Sequence, residues 1–144
     1  MDIAKVKETF EFVLDSWRKS QILQEKARSY RLSATGGGIR YDKDRVQTSP
    51  DDYQSRWIIA AADCEAEAVR ILALSDEARQ KVYDWVEAYC NDEEQYVLVW
   101  HYINGKSYNE IKEEYIELFD YRVKSTMYNI AQRGIAKIAN SLKS

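Results

Sequence analysis

The chain has 144 residues, of which 45% are hydrophobic and 31% charged, a balance that suits one or two compact helical domains facing water. Its net charge of −3 argues against a protein that wraps nucleic acid over its whole surface. The charge is unevenly spread, however: residues 50–103 carry four basic and twelve acidic side chains, whereas residues 121–144 carry five basic and no acidic ones. A phosphate-binding patch is therefore expected only near the C-terminal end.

Apolar side chains recur at steps of three and four residues rather than two, and only five glycines and one proline interrupt them, which predicts an all-α fold. A first helix is expected from Met1 to about Leu32. Its apolar seam has the spacing of a helix pair and shifts register after Trp17. The seam comprises Ile3, Val6, Phe10, Val13, Trp17, Leu23, Ala27 and Tyr30. A solvated face is favoured over DNA contact for the basic residues Lys19, Lys26, Arg28 and Arg31.

Residues 34–50 break the helical pattern and predict a flexible loop between two helices. Gly36-Gly37-Gly38 ends the first helix and a polar, irregular segment follows. A triple glycine can cradle phosphate, but no Lys-Ser/Thr pair follows it and no strand precedes it. A nucleotide site is therefore not expected here.

A second helix is expected from Pro50 to about Leu74, because proline and two aspartates suit a first helical turn. Its seam is rich in small residues, which let a partner helix approach closely. The seam comprises Trp57, Ala61, Cys64, Ala68 and Ile71. The partner is either the first helix, folded back as an antiparallel hairpin, or the same helix of a second subunit. A homodimer is therefore among the expectations.

Two shorter helices follow, each with its own start signal. Ser75, with acidic residues directly after it, predicts the N-cap of the first. Asn91 and Glu94 have the spacing of a capping box for the second, and Asn104-Gly105 predicts its end. The apolar faces comprise Val82, Trp85, Val86 and Tyr89 in the first, and Val97, Trp100 and Ile103 in the second.

Residues 107–142 contain two helix starts about a dozen residues apart, which is the outline of a helix-turn-helix. Ser107 and Glu110 form a second capping-box pattern. Asp120 stands where the next N-cap is expected, so the last helix is predicted to run from Tyr121 as one rod. Its apolar face comprises Val123, Met127, Ile130, Gly134, Ile138 and Ser141.

The opposite face of this last helix carries hydroxyls, amides and guanidinium groups, which contact base edges and phosphates in protein–DNA complexes. Base-edge contacts are expected from Tyr121, Arg122, Ser125, Tyr128 and Asn129, and phosphate contacts from Lys124, Arg133 and Lys137, with Gln132 on the same face. The alternative is an amphipathic helix with a solvated basic face, because helix-turn-helix outlines also occur in proteins that never touch DNA.

Little in the chain points to catalysis or metal binding. Cys64 and Cys90 are expected to be reduced and buried, and His101 has no second ligand at metal-binding spacing, so it is expected to be structural or on the surface. No nucleophile–base pair or cofactor loop stands out, so neither an enzyme nor a cofactor is expected. The absence of a membrane-length apolar run and of a signal peptide predicts a cytoplasmic protein without membrane contact.

Part of the C-terminal region resembles region 4 of sigma-70-type factors. The resemblance lies in Asp92-Glu93-Glu94, in Tyr102-Ile103-Asn104-Gly105-Lys106-Ser107-Tyr108-Asn109-Glu110-Ile111 and in Val123-Lys124-Ser125-Thr126. It departs from the pattern at Lys112, where a small residue is usual, and in the turn Glu117-Leu118-Phe119-Asp120, which has no glycine.

The whole chain is similar to the ArpU/RinA-type late transcription regulators of bacteriophages. It shares their layout, including the segment Tyr41-Asp42-Lys43-Asp44-Arg45-Val46-Gln47-Thr48-Ser49. The resemblance implies binding to double-stranded DNA in promoter regions and activation of phage late genes, with bacterial RNA polymerase as a partner.

Together these features predict a helical hairpin over residues 1–74, with its loop at 34–50, and a helix-turn-helix module over residues 75–144. The leading hypothesis is a sequence-specific DNA-binding transcription regulator. One alternative is a DNA-packaging protein resembling small terminase subunits, which also join a helix-turn-helix to oligomerising helices. Another is a polymerase-binding adaptor that works through the acidic middle segment and binds no DNA.

Overall fold

The computed structural model describes residues 2–35, 50–118 and 126–143. Within these ranges the chain is all-α, with no strand, which confirms the predicted fold class. The helices are α1 (Ile3–Ala34), α2 (Pro50–Leu74), α3 (Asp76–Tyr89), α4 (Asp92–Leu98), α5 (Tyr108–Leu118) and α6 (Met127–Leu142), and a π-helical turn (Val99–Ile103) extends α4. The Gly36–Gly38 segment and the resemblance at residues 41–49 lie outside the described residues.

Two compact units divide the chain, one comprising residues 1–18 with 74–144 and the other residues 19–73. The C-terminal unit therefore includes the first half of α1, which the predicted boundary at residue 74 assigned to the hairpin. Phe10 shows why: its ring lies 5.1 Å from that of Tyr102 and 6.4 Å from that of Trp85. Burial of such aromatic side chains supplies much of the free energy that holds α1 in this core.

The core of the larger unit is built around α6, which packs against α3, α4 and α5. Apolar seam positions of every helix in the unit contribute to it. Fully buried members include Val6, Phe10, Val82, Val97, Leu98, Ile130, Ile135 and Ile138. The predicted inward positions Val97 and Ile103 are buried and Trp100 is half-buried, whereas Tyr89 on α3 and Ile3 on α1 are exposed.

The smaller unit is the predicted antiparallel hairpin of α1 and α2. The ring of Tyr30 lies 5.4 Å from that of Trp57, and Arg31 forms an ion pair with Glu65. Residues that come later in α1 thus meet residues that come earlier in α2. The seam alanines Ala27, Ala61 and Ala68 are buried, which lets the two helices approach closely.

Local signals account for most helix ends. The Asn91 side chain accepts from the Glu94 backbone N–H at 2.9 Å, and the Asn91 N–H donates to the Glu94 carboxylate at 3.0 Å, so the first capping box is confirmed. In the second, the Glu110 N–H donates to the Ser107 hydroxyl at 3.2 Å. Gly105 ends the π-helical turn with a φ of 72°.

Ser75 corrects one prediction. It occupies the N-cap position of α3, but its hydroxyl makes no capping hydrogen bond to the helix backbone. The hydroxyl instead accepts from the Arg79 guanidinium at 2.9 Å. The Ser75 backbone is helical rather than extended, so its side chain is not placed to reach the N–H groups of the first turn.

Candidate nucleic-acid interface

The last helix begins later than the sequence suggested. Thr126 is its N-cap: the backbone is extended there (φ −73°, ψ 157°), and the threonine hydroxyl accepts from the Asn129 N–H at 3.1 Å. The prediction of one rod starting at Tyr121 is therefore wrong, because an extended residue at Thr126 separates α6 from what precedes it. Asp120, the predicted cap, and Val123, on the predicted apolar face, lie outside the described residues.

One face of α6 is buried along its whole length. The predicted apolar positions Met127, Ile130, Gly134 and Ile138 are buried, and Ala131, Ile135 and Ala139 join them. Ser141 is exposed, so its assignment to this face was wrong. The row of buried residues turns slowly around the helix axis, and near the C-terminal end it no longer includes this position. The buried face fixes which residues point outwards.

Gly134 brings α6 close to α4. A Cβ atom at this position would lie 2.7 Å from Leu98 Cδ1 and 3.3 Å from Glu94 Cβ, so no larger residue fits without movement of its neighbours. The close approach also brings Arg133, the preceding residue, and Lys137, about one turn later, within reach of the N-terminal turn of α4. The absence of a side chain at residue 134 therefore helps to bring Arg133 and Lys137 to Glu94.

The outward face of α6 carries the predicted contact residues that the structure describes. Tyr128 is 54% exposed, Asn129 is exposed and Gln132 is half-buried. Tyr128 and Asn129 lie in the first turn, next to the exposed Thr126. The other predicted residues, Tyr121, Arg122, Lys124 and Ser125, lie outside the described residues.

Arg133 and Lys137 are exposed, but both are engaged by Glu94, a carboxylate with 0% exposure. Arg133 Nε donates to Glu94 Oε2 at 2.7 Å and Lys137 Nζ donates to Oε1 at 3.0 Å. Arg133 also reaches Glu93 at 3.3 Å. Both cations were predicted to contact phosphates, and the structure shows that their charge is already partly matched within the fold.

The Glu94 carboxylate stays ionised despite its burial. Desolvation by burial opposes the charge, but hydrogen bonds from the Asn91 N–H, Arg133 and Lys137 outweigh it and lower the pKa of Glu94 below its ordinary value. The same carboxylate therefore caps α4 and joins α4 to α6. The capping box was legible in the sequence, whereas nothing in the sequence indicated the link to residues about 40 positions away.

Tyr128 is held by an aromatic cluster from three elements. Its ring packs edge-on against Tyr108 of α5 at 5.9 Å, and Tyr108 in turn stacks on His101 at 3.9 Å. Tyr102 lies beside them, with its ring edge-on to that of His101 at 4.7 Å. Burial is the main reason why the pKa of Tyr102 and of Tyr108 is raised, so both hydroxyls are neutral at physiological pH.

His101 has a structural position in this cluster. Of the two expectations for this residue, structural or on the surface, the first is confirmed. It is buried, and its Nδ1 lies 2.7 Å from the Lys106 carbonyl oxygen, to which it donates as the neutral ring. Desolvation by burial lowers the pKa of His101, opposed by the Lys106 hydrogen bond, while nearby Arg18 adds to the lowering. The ring thus closes the loop between α4 and α5 and supports Tyr108.

The neighbouring surface of α5 has the opposite charge. A pocket of about 180 Å³ is lined by Trp100, Lys106, Glu110, Ile111, Glu113 and Glu114. Its three carboxylates outnumber its one lysine, so this pocket is unfavourable for a phosphate backbone.

Among the described residues no cluster of three or more His, Cys, Asp or Glu side chains is arranged to hold a metal ion. Cys64 is half-buried and Cys90 buried, and both are free thiols; burial is the main cause that raises the pKa of Cys90 to about 12. None of the described helices combines the length and the apolar character needed to cross a bilayer. Comparison with known proteins found no family model, no curated protein and no solved structure that matches this chain.

Proposed function

We propose that this chain is a sequence-specific double-stranded DNA-binding protein that reads base edges with the first turns of α6. The observation that carries the proposal is the position of Tyr128 and Asn129. Both are exposed in the first turn of a helix whose opposite face is buried against α3, α4 and α5. In helix-turn-helix proteins the N-terminal residues of the second helix contact base edges in the major groove.

The chemistry of the exposed groups supports base-edge contacts more than phosphate contacts. The Asn129 amide can donate and accept at once, which suits the paired donor and acceptor of adenine. Tyr128 offers a hydroxyl and a ring that is already oriented by Tyr108. Gln132 lies one turn further along the helix and is half-buried.

The ion pairs with Glu94 affect which cations are available for phosphate contact. Arg133 and Lys137 contribute less than free cations would, because Glu94 offsets part of their charge. On sequence grounds Lys124 remains the main candidate for phosphate contact, and Arg122, expected at base edges, adds positive charge beside it. The proposed biological role, activation of phage late genes together with bacterial RNA polymerase, rests on the resemblance to the ArpU/RinA-type regulators and to sigma region 4.

The test is selection of bound sequences from a random duplex pool, followed by titration of the selected duplex against variants. Tyr128→Ala and Asn129→Ala should each weaken binding by about 1–3 kcal/mol and relax specificity at individual base pairs. Asn140→Ala is the matched control, since Asn140 is exposed on α6 eleven residues further along and on nearly the same face. Equal affinity of all three variants and the parent chain would reject this surface.

A protein-interaction adaptor is a second candidate, and the pocket on α5 favours it. Half-buried Trp100 and the carboxylates of Glu110, Glu113 and Glu114 offer an apolar anchor and negative charge to a basic partner segment. Retained binding to RNA polymerase together with no duplex binding at low salt would support the adaptor over the DNA reader. A packaging protein would instead be recognised by a ring of many subunits in a mass measurement.

A further inference from the structure

The hairpin unit has an apolar surface that its own packing does not use. The predicted seam of α2 faces α1, where Ala61 and Ala68 are buried. On the opposite side of α2 lies a second row, here called the outer stripe, and all of its members are exposed. The outer stripe comprises Ser55, Ile59, Ala62, Ala66, Val69 and Ala73.

The outer stripe has the spacing of a helix–helix interface. Its members follow each other at alternating steps of four and three residues, and at about 100° per residue they lie within about 40° of one line along α2. From Ser55 to Ala73 the row is about 27 Å long at 1.5 Å per residue. Ile59 is 59% exposed and Val69 is 68% exposed. Such a repeat is typical of a coiled-coil seam rather than of a solvated face.

The charges on α2 disfavour a lipid or nucleic-acid occupant. The helix has no lysine; it carries Arg56 and Arg70 against five acidic residues: Asp51, Asp52, Asp63, Glu65 and Glu67. Amphipathic helices that lie on membranes are usually basic on their polar face, and a duplex needs cations. The Arg70 guanidinium is, moreover, already paired with Glu67. What fits the stripe is another apolar helix.

The order of residues in the stripe identifies which helix. Read from either end, the row is nearly the same: a small residue, a branched residue, two alanines, a branched residue and a small residue. A twofold rotation centred at the height of Cys64 places Ile59 opposite Val69 of a second copy and Ala62 opposite Ala66. The stripe is thus complementary to itself in the antiparallel direction.

We infer that a second copy of this chain packs on the outer stripe, so that two α2 helices form an antiparallel pair about a twofold axis. The alanines at the centre allow close approach of the two backbones, and the branched residues fill the layers at either side. The homodimer expected from the sequence is thereby assigned to a different surface, because the seam at residues 57–71 is occupied by α1. The inference does not depend on DNA binding.

Sedimentation velocity of the full chain across the micromolar range tests the inference. The parent chain should sediment as a dimer, and Ala66→Glu should raise the dimer dissociation constant by about two orders of magnitude or more, because it buries a carboxylate between apolar layers. Gln54→Glu is the matched control: Gln54 is also exposed on α2 but lies off the stripe, so this variant should remain a dimer. Unchanged helical content by circular dichroism verifies that both variants fold.

Two results would overturn the inference: a parent chain that stays monomeric throughout the range, or an Ala66→Glu variant that dimerises as the parent does. Cross-linking tests the direction in a Cys64→Ser background, where the remaining Cys90 is buried. A mixture of Ala62→Cys and Ala66→Cys chains should oxidise mainly to the mixed disulfide dimer. Efficient disulfide formation within each variant alone, without enrichment of the mixed product, would reject the antiparallel pairing.

Discussion

Arg133 of α6 donates from Nε to the buried Glu94 carboxylate of α4 at 2.7 Å, which ties a residue of the outward face of α6 to the N-terminal turn of a core helix. The pair has two consequences. It stabilises the packing of α4 against α6, and it withdraws part of the positive charge from the surface proposed to meet DNA. One arrangement thus connects the fold of this unit with the strength of its electrostatic contacts.

Replacing Glu94 with Gln should destabilise the chain by about 1–3 kcal/mol, because the amide cannot satisfy two cations and the Asn91 N–H together. Since the pKa of Glu94 is lowered in the folded state, its contribution is complete above the ordinary value of 4.5 and is lost as pH falls through the folded-state value. Urea unfolding at a series of pH values should show that acid lowers the free energy of unfolding less in Glu94→Gln than in the parent chain. Glu113→Gln, at an exposed position, should leave the profile unchanged.

Replacing Gly134 with Ala should destabilise the chain by about 1–2 kcal/mol, although alanine is the better helix former. The reason is the contact of 2.7 Å that the added Cβ would make with Leu98 Cδ1. Thermal or urea unfolding measures the effect. Asn140→Ala in the same helix gains helix propensity without a clash and should be neutral or slightly stabilising. A stabilising Gly134→Ala would show that α4 and α6 can separate without cost.

Replacing Gly105 with Ala should be more costly, at about 2 kcal/mol or more, because two penalties combine. The residue has a φ of 72°, and its added Cβ would overlap the ring of Trp17 on α1. Fluorescence-detected unfolding is suitable here, since Trp17 lies at the site of the change. Asn104→Ala, at the exposed neighbour, should cost far less; equal costs would exclude a specific role for the glycine conformation.

His101 should make stability depend on pH in the range above that of Glu94. The pKa of His101 is lowered in the folded state, so the unfolded chain binds the proton more readily. The free energy of unfolding is therefore unaffected by His101 above its ordinary pKa of 6.5, and it decreases as pH falls below that value. Urea unfolding at about pH 7.5 and 5.5 should show this decline in the parent chain and a smaller one in His101→Gln. The comparison uses the change with pH, so a lower overall stability of the variant does not affect it.

The proposed division of phosphate contacts predicts different salt dependences of duplex binding. Lys124→Ala should lower the slope of log K against log salt by about 1, as expected for the loss of one phosphate contact, and Arg122→Ala should lower it too because a cation beside the duplex is lost. Lys137→Ala should lower it by less, because Glu94 already offsets its charge. Titrations of the selected duplex at several salt concentrations give the slopes. Equal reductions for all three variants would mean that Lys137 leaves Glu94 when DNA binds.

What the sequence determined by itself is local: most of the helices and their ends, the two capping boxes, the end at Gly105 and the apolar seams of α1 and α2. These depend on neighbours within a few residues or on a regular repeat, so they can be recognised from residue type and spacing. The start of α6 at Thr126 is also a local feature. Threonine is a favourable N-cap residue, but Asp120, another favourable N-cap residue, was chosen instead.

Only the tertiary structure decided which charges and surfaces are left for binding. That Glu94 is buried and that Arg133 and Lys137 are paired with it depends on the close approach of α4 and α6 at Gly134. Likewise, the packing of α1 decides which side of α2 is buried: it covers the seam with Ala61 and Ala68, and the outer stripe on the opposite side is exposed. Both outcomes arise from contacts between residues about 40 positions apart, where a side chain's partner is set by helix packing and not by its neighbours in sequence.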